Sequence, residues 1–426
     1  MKKFFTAAAV IVFTGVIFFL QGCLKDTYEK TYTYTYYQPV YKTSDEVRAN
    51  IKSGPPQIVE RPGKIYIFGK YIFLNEIDKG IHVIDNSDPS NPQRISFINI
   101  PGNLDIAVKG NILYADMYTD FVALDISNPR SIQLNKIVDN IFPHRVYGGS
   151  FTSDDKRIIA SWEKRDTTIR EKHKVEKWLE TGMVYFSLSA DQGLNMSGTG
   201  KATSSAPFGV GGSMARFAIA RDRLYTVGDS RLDVFNISRA NDPVNVSHSN
   251  MSWGIETIYP FRDKLFIGSQ TGMFIFNINN PDHPVQEGKF EHVTICDPVI
   301  ADDNFAYVTM HAGTTCRGTT NQLDIVDLSN FSNPTLVKSY PLTNPHGLSK
   351  DGNILFICDG RDGMKVYDAT NKSSIKLISE VKGLETYDVI AYNGNALVVA
   401  KDGLYQYDYA DLNNIRLKSK IEISKL

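Results

Sequence analysis

One phrase constrains this chain more than any other, because the sequence keeps returning to it. HVIDNSDPSNP (His82–Pro92) alternates apolar and polar residues like a strand and then runs into a turn. An Asp or Asn side chain there can accept from a backbone amide two residues on, and Pro fixes φ and ends the ladder. The phrase recurs as VALDISNP (Val122–Pro129), LDVFNISRANDP (Leu232–Pro243), FIFNINNPDHP (Phe274–Pro284) and LDIVDLSNFSNP (Leu323–Pro334). Weaker copies are MKVYDATN (Met364–Asn371) and LYQYDYADLNN (Leu404–Asn414), and VYFSLSAD (Val184–Asp191) is a degenerate one. The Asp-equivalent residues are Asp85, Asp125, Ser187, Asn236, Asn277, Asp327, Asp368 and Asp408, with spacings of 40, 62, 49, 41, 50, 41 and 40. A period near 40 with several short strands per unit predicts a β-propeller, the longer spacings being that period plus an insertion.

Within a unit four strands are legible. In the second they are Leu104–Val108, Ile112–Met117, Phe121–Ile126 and Ile132–Val138; the last unit repeats the pattern from Tyr387 to Ile423. Complete units at both ends favour an all-β fold of eight four-stranded blades. Seven is the alternative if the Ser187 unit is malformed. A propeller also suits the size of Gly63–Leu426, 364 residues, which is more than one ordinary core accommodates. The third unit carries the large insertion, at about residues 163–212. Its charged part, Glu163–Thr181, reads as a solvated helix or hairpin, and a Gly/Ser-rich loop follows through Gly212. GTGKATSS (Gly198–Ser205) lacks the first glycine of a phosphate loop and its strand-to-helix context, which argues against nucleotide binding.

Ahead of the repeats, Lys2 and Lys3 precede an apolar run, Phe4–Leu20, and then Gln21-Gly22-Cys23. That order is a secretory leader over residues 1–22; at 17 residues the run is also just long enough to be weighed as a membrane span. Leu20-Gln21-Gly22-Cys23 resembles the lipobox of bacterial lipoproteins. The resemblance implies cleavage before Cys23, acylation of Cys23 and attachment to a membrane by several acyl chains. Leu24 after the cysteine resembles lipoproteins sorted to an outer membrane, and Lys25-Asp26 echoes the surface-export signal of Bacteroidetes lipoproteins. Residues 23–62 then read as a tether, in which TYTYTYY (Thr31–Tyr37) would place its rings on one face of a strand. The formal charge of −1 becomes −3 without Lys2 and Lys3, which gives no basis for nucleic-acid binding.

Equivalent positions of the innermost strands meet around a propeller's channel, and there the sequence offers ionisable groups. Aligning those strands puts Leu104, Ala215, Glu256, Asp297, His346 and Asp388 at one position, with His144 in the third unit. Asp105 and Arg216 occupy the next. Carboxylates and imidazoles converging on a channel mouth suit a divalent cation or a polar ligand. Polar residues at a wet mouth also occur without either. No organic cofactor is implied. Of the remaining cysteines, Cys296, Cys316 and Cys358 fall at the same end of adjacent blades. Outside the cytoplasm a Cys296–Cys316 disulfide is the first pairing to expect, ahead of a metal site of these thiols with His311 or His346.

The copies also resemble the LVIVD repeats of bacterial and archaeal cell-surface proteins. GGSMARFAI (Gly211–Ile219), IETIYP (Ile255–Pro260), CDPVIADDNFAYVTM (Cys296–Met310), NQLDIVDLS (Asn321–Ser329) and NPHGL (Asn344–Leu348) carry the likeness. It implies a β-propeller at the cell surface and no particular chemistry. Three classes of function follow. The first is a non-enzymatic module for a protein, glycan or small ligand, the second an enzyme using the acidic and histidine rim, the third a scaffold of an envelope complex. The absence of a nucleophile–base pairing or cofactor motif puts the binding module first.

Overall fold

The computed structural model describes residues 27–142, 157–174, 209–213, 215–228, 230–252, 254–291, 298–312 and 320–424. The leader, Cys23, His144, the Ser187 copy, Cys296, Asp297 and Cys316 lie outside them.

Among the described residues the repeats fold into seven blades of four antiparallel strands. Blade 1 comprises Pro62–Phe68, Tyr71–Glu76, Gly80–Asp85 and Gln93–Asn99. Blade 2 has Ile106–Lys109 innermost and Gln133–Val138 outermost. The innermost strands of blades 3 to 7 are Phe217–Ala220, Ile255–Phe261, Val299–Ala301, Leu348–Asp351 and Thr386–Tyr392. Seven replaces the expected eight for a plain reason. The innermost strand of blade 2 packs directly beside that of blade 3, so the chain between them has no place in the ring for another blade. The insertion's charged part, read as a helix or hairpin, is extended strand as far as Lys174. That strand, Ile158–Lys174, pairs with Thr27–Lys42 as a separate two-stranded ribbon. In the ribbon Tyr32 and Tyr34 stack at 6.0 Å, as alternation along a strand requires. Thr35 donates to Asp166 at 2.6 Å.

The repeated phrase does in every blade what its residues dictate. Asp85, Asp125, Asn236, Asn277, Asp327, Asp368 and Asp408 each accept from the backbone amide two residues on, at 2.7–3.0 Å. A β-bulge follows in the outer strand of each blade, for example at Ile95 opposite Val83–Ile84 of blade 1 and at Lys418 opposite Gln406–Tyr407 of blade 7, which sharpens the local twist.

The core lies between blades. Tyr114, Tyr225, Tyr307, Phe121, Phe235, Phe266 and Phe356 are fully buried there. Two of the tyrosine hydroxyls reach forward to the next blade's turn: Tyr114 donates to Ala240 O at 2.8 Å and Tyr225 to Pro281 O at 2.9 Å; Tyr307 donates to Asp302 of its own blade at 2.8 Å. Burying such rings is worth about 2–3 kcal/mol each in transfer free energy, provided the hydroxyl finds an acceptor. Ser96 donates to Pro129 O at 2.8 Å, linking blade 1 to blade 2, and Ser419 makes the same bond from blade 7 to Pro89 O of blade 1 at 2.7 Å. Asn86 and Gln406 exchange two amide bonds across that junction, and Ile65, Ile72, Ile84, Ile390, Leu397 and Leu404 share one apolar cluster. The ring is closed.

Residues 43–61 are packed on the ring at its seam. Thr43 and Glu46 form a capping box for a short helix, α1 (Ser44–Arg48). Arg48 pairs with Asp120 of blade 2 at 2.7 Å and with Asp139. Lys52–Gly54 adds a fifth strand to the outer edge of blade 1, and Val59 bridges Ile423 of blade 7.

Candidate functional site

The geometry of the site follows from where each innermost strand begins. Count back from the residue that pairs across the first turn of each blade: Phe68, Lys109, Ala220, Phe261, Asp302, Asp351 and Tyr392. Four residues earlier stand Lys64, Asp105, Arg216, Thr257, Pro298, Gly347 and Asp388. One residue earlier still stand Leu104, Ala215, Glu256, His346 and Tyr387. Asp388 therefore shares a layer with Asp105 and Arg216, not with Glu256 and His346 as the bare alignment had it. The cause is a slip of one residue at the turn: the alignment set Val108 against Tyr392, whereas Lys109 pairs with Ile112 as Tyr392 pairs with Asn395. A one-residue slip moves every side chain of a strand to a different place.

The first layer has a regular charge order. Going round blades 7, 1, 2 and 3, it reads Asp388, Lys64, Asp105, Arg216, acidic and basic residues in alternation. Blades 4 to 6 contribute the small or neutral Thr257, Pro298 and Gly347. Lys64, which sequence reasoning passed over, is the centre of the group. It lies deep in the ring yet keeps part of its surface open, the combination expected of a channel wall. Burial pulls its ammonium down to about 8, against the pull of Asp105, Asp388 and Glu256 and with the push of Arg216. Its signal in the sequence was position alone, four residues before a Phe68–Tyr71 turn.

The two carboxyl groups of the layer are buried. Asp105 is buried; it accepts from its own chain at Ile106 N, 2.8 Å, and from the next blade at Arg216 N, 2.6 Å. Burial raises its carboxyl to about 6, Lys64 and the Arg216 amide opposing. Asp388 repeats the first bond, to Val389 N at 2.6 Å, but its Oδ2 is buried without a hydrogen-bond partner. Burial pushes that carboxyl well above the usual range, Lys64 again opposing. Asp116, also unforeseen, fixes the approach to the inner strand of blade 2 by accepting from Leu104 N at 2.7 Å and Asp105 N at 2.9 Å. Glu256 accepts from Gln270 at 3.2 Å and keeps some exposure, as does Arg216.

The inner edge of blade 1 carries one more strand. The chain re-enters the ring at Gly209–Gly211 and pairs along the inner edge of blade 1, Val210 opposite Ile67 and Gly211 opposite Tyr66. Gly209 N donates to Val108 O of blade 2 at 3.1 Å, and Tyr66 donates to Gly209 O at 3.1 Å. Glycine is required at both ends of this crossing. A Cβ on Gly209 would lie 2.4 Å from Ile67 O and from the Tyr66 ring, and one on Gly211 2.8 Å from the same ring. The crossing meets the inner strand at Tyr66–Ile67, two to three residues beyond Lys64.

His346 belongs elsewhere. Its ring stands 4.9 Å from His311 and edge-on to Tyr387 at 5.5 Å, with Asn344 at 3.0 Å from Nε2. Burial and then the neighbouring His311 push its imidazole down to about 3, so it is neutral at physiological pH. Among the described residues no three His, Cys, Asp or Glu side chains converge as a metal site. Cys358 is free and buried, and burial raises its thiol.

Among the described residues this chain builds a closed ring of seven four-stranded blades. Residues 63–98, 103–140 and 297–341, the stretches containing blades 1, 2 and 5, match the LVIVD repeat. No curated protein matches the chain. Among solved structures it is similar to a computationally designed protein, Ika8, at 9% identity and a TM-score of 0.49, over 87% of this chain and 92% of that one. A protein from Lactobacillus plantarum gives 13% identity and a TM-score of 0.49, over 77% and 86%. BamB from Moraxella catarrhalis gives 10% and 0.45, over 85% and 96%.

Proposed function

We propose that this chain is a non-enzymatic binding module of a bacterial cell envelope, held on a membrane by acyl chains on Cys23, whose small polar ligand binds at the channel of the propeller. One observation carries the reading: Asp388, Lys64, Asp105 and Arg216 occupy equivalent positions at the start of the inner strands of four successive blades, beside the Gly209–Gly211 crossing. Ligand sites gather a few convergent polar groups of this kind. The anchor rests on the Leu20–Cys23 sequence, and a several-chain lipid keeps a soluble domain on a membrane.

Two measurements test the reading. Native mass spectrometry of the chain freed of its acyl groups should show a discrete small-molecule adduct, absent from a Lys64→Met, Arg216→Gln double variant that melts like the parent. A bare mass together with a stoichiometric envelope protein would overturn it in favour of a scaffold. Labelled palmitate should enter the parent and not Cys23→Ala; equal labelling of both would overturn the anchor.

A further inference from the structure

The chain itself shows what the outer edge of a blade can hold. In blade 1, Lys52–Gly54 lies antiparallel on the outer strand, with Lys52 opposite Asn99, Ser53 opposite Ile98 and Gly54 opposite Phe97. Two side chains of that outer strand prepare the place. Asn99 donates to Asn50 O at 2.6 Å, and Ser96 donates to Pro129 O of blade 2, the oxygen that Ser53 also reaches. Blade 3 repeats both residues. Its outer strand, Val244–Asn250, sets Ser247 opposite Val234 and Asn250 opposite Arg231, as Ser96 stands opposite Val83 and Asn99 opposite Gly80. Ser247 likewise donates to the next blade's turn, at Asp282 O. In blades 4, 5 and 7 the place of Asn99 is held by Glu291, Pro341 and Glu422.

Among the described residues no strand takes that place in blade 3, where Val244–Asn250 ends its sheet. Asn250 is exposed, and its side chain bonds to no other described residue. Its amide faces outwards: Met251 N donates inwards to Ser230 O at 2.7 Å, and amides alternate along a strand. The proline at the same place in blade 5 agrees, since a proline has no amide to give the ladder. Val244–Asn250 is also the one outer strand of the seven described without Lys, Arg, Asp or Glu. Charges and prolines guard an edge strand against pairing, and this edge carries neither.

We propose that the outer edge of blade 3 is a β-augmentation site for an extended segment of a partner protein, rich in small and hydroxyl residues and antiparallel to Ser247–Asn250, with one of its carbonyl oxygens on the Asn250 side chain. Main-chain pairing gives such a contact its affinity, and flanking side chains give its selectivity. The bulge at Val246 ends the open ladder on one side, so the guest is short, as Lys52–Gly54 is in blade 1. A residue opposite Ser249 stands where Ser53 stands in blade 1, facing the next blade's turn, which favours serine or threonine there. The site lies on the outer strand and is independent of the channel reading.

The probe is a labelled synthetic peptide of residues 49–58 of this chain, ANIKSGPPQI, titrated onto the full chain by fluorescence anisotropy with amide exchange read in parallel. The peptide should bind, and at about ten times its Kd it should slow exchange about tenfold at the outward amides of His248 and Asn250. The same peptide carrying Ser53→Pro should not bind. In the full chain Asn250→Pro copies blade 5, so it should melt like the parent and lose the peptide. Asn250→Ala keeps the amide and loses the side-chain donor, and should weaken binding about tenfold, the worth of one hydrogen bond. If Asn250→Pro melts lower than the parent, Asn250→Ala decides. No binding, binding that these variants leave unchanged, or protection confined to Gln93–Asn99 of blade 1 overturns the site. Protection of Val244–Asn250 that grows with protein concentration in the absence of peptide overturns it too, giving the edge to a second copy of this chain.

Discussion

A single side chain holds the corner between the last two strands of each blade, and in blade 1 that corner carries a measurable acid sensitivity. Asp85 accepts from the Ser87 hydroxyl and amide and pairs with Lys70 at 3.0 Å, and those bonds, the hydroxyl first, lower its carboxyl to about 2. A carboxyl depressed on folding contributes stability above its unfolded value, near 3.9, and loses it as pH falls through the folded value. Asp85→Asn keeps an acceptor oxygen, as Asn236 and Asn277 do in blades 3 and 4, so it should melt close to the parent at pH 7. Between about pH 4 and 2 its melting temperature should fall less steeply than the parent's, read by circular dichroism. Parallel curves would show that Asp85 titrates alike folded and unfolded. The same corner explains what could be read from the sequence: an Asp or Asn two residues before a donor states its own hydrogen bond. The charged layer could not be read this way. Whether Asp388 joins Asp105 or Glu256 depends on whether Val108 or Lys109 is the equivalent of Tyr392, and residue type alone does not decide it.

At the scale of elements, the seam of the ring is held by a segment outside the repeats. Arg48 of α1 reaches Asp120, which is buried and otherwise accepts from Asn140 N at 3.0 Å. Ser53 donates to Pro129 O at 3.1 Å and Arg94 to Gln57 O at 2.8 Å. Ser424 N donates to Val59 O at 2.7 Å. Residues 43–61 thus join blades 2, 1 and 7. Removing Arg48 leaves the Asp120 carboxylate buried with one donor fewer, a loss of about 1–3 kcal/mol. Arg48→Ala should lower the urea midpoint accordingly and speed amide exchange at Lys52–Gly54 before that of the inner strands. A change under about 0.5 kcal/mol would mean that α1 is dispensable to the seam. The contacts across the seam were not legible, because prolines and short apolar residues such as Val47 and Val59 look alike in a linker and in a strap. Their burial, 1% and 0%, is set by blades far away in sequence.

At the scale of the molecule, the period near 40 determined a ring and left its number open, because the spacing between Asp125 and Asn236 admitted an extra unit. Packing decides it, since the inner strands of blades 2 and 3 are neighbours. The closed ring has an energetic consequence that an open array lacks. In a linear stack the end units present one bare face each and can carry polar caps, so losing a terminal repeat is tolerated. Here both faces of every blade are internal. Blade 7 covers Ile65, Ile72 and Ile84 of blade 1 on one side and Phe356, Cys358 and Val366 of blade 6 on the other. Each of these residues has no exposed surface or nearly none. A chain ending at Val381 would bare both faces together and lose Gln406, Ser419 and the Ile423 bridge to Val59. At about 25 cal/mol per Å² of apolar surface, two bared blade faces outweigh the 5–15 kcal/mol of a typical domain. Such a truncation should therefore melt without a cooperative transition and be cut by protease throughout blades 1 to 6. A stable six-bladed remnant with a sharp melt would show that blades are independent and that closure contributes little.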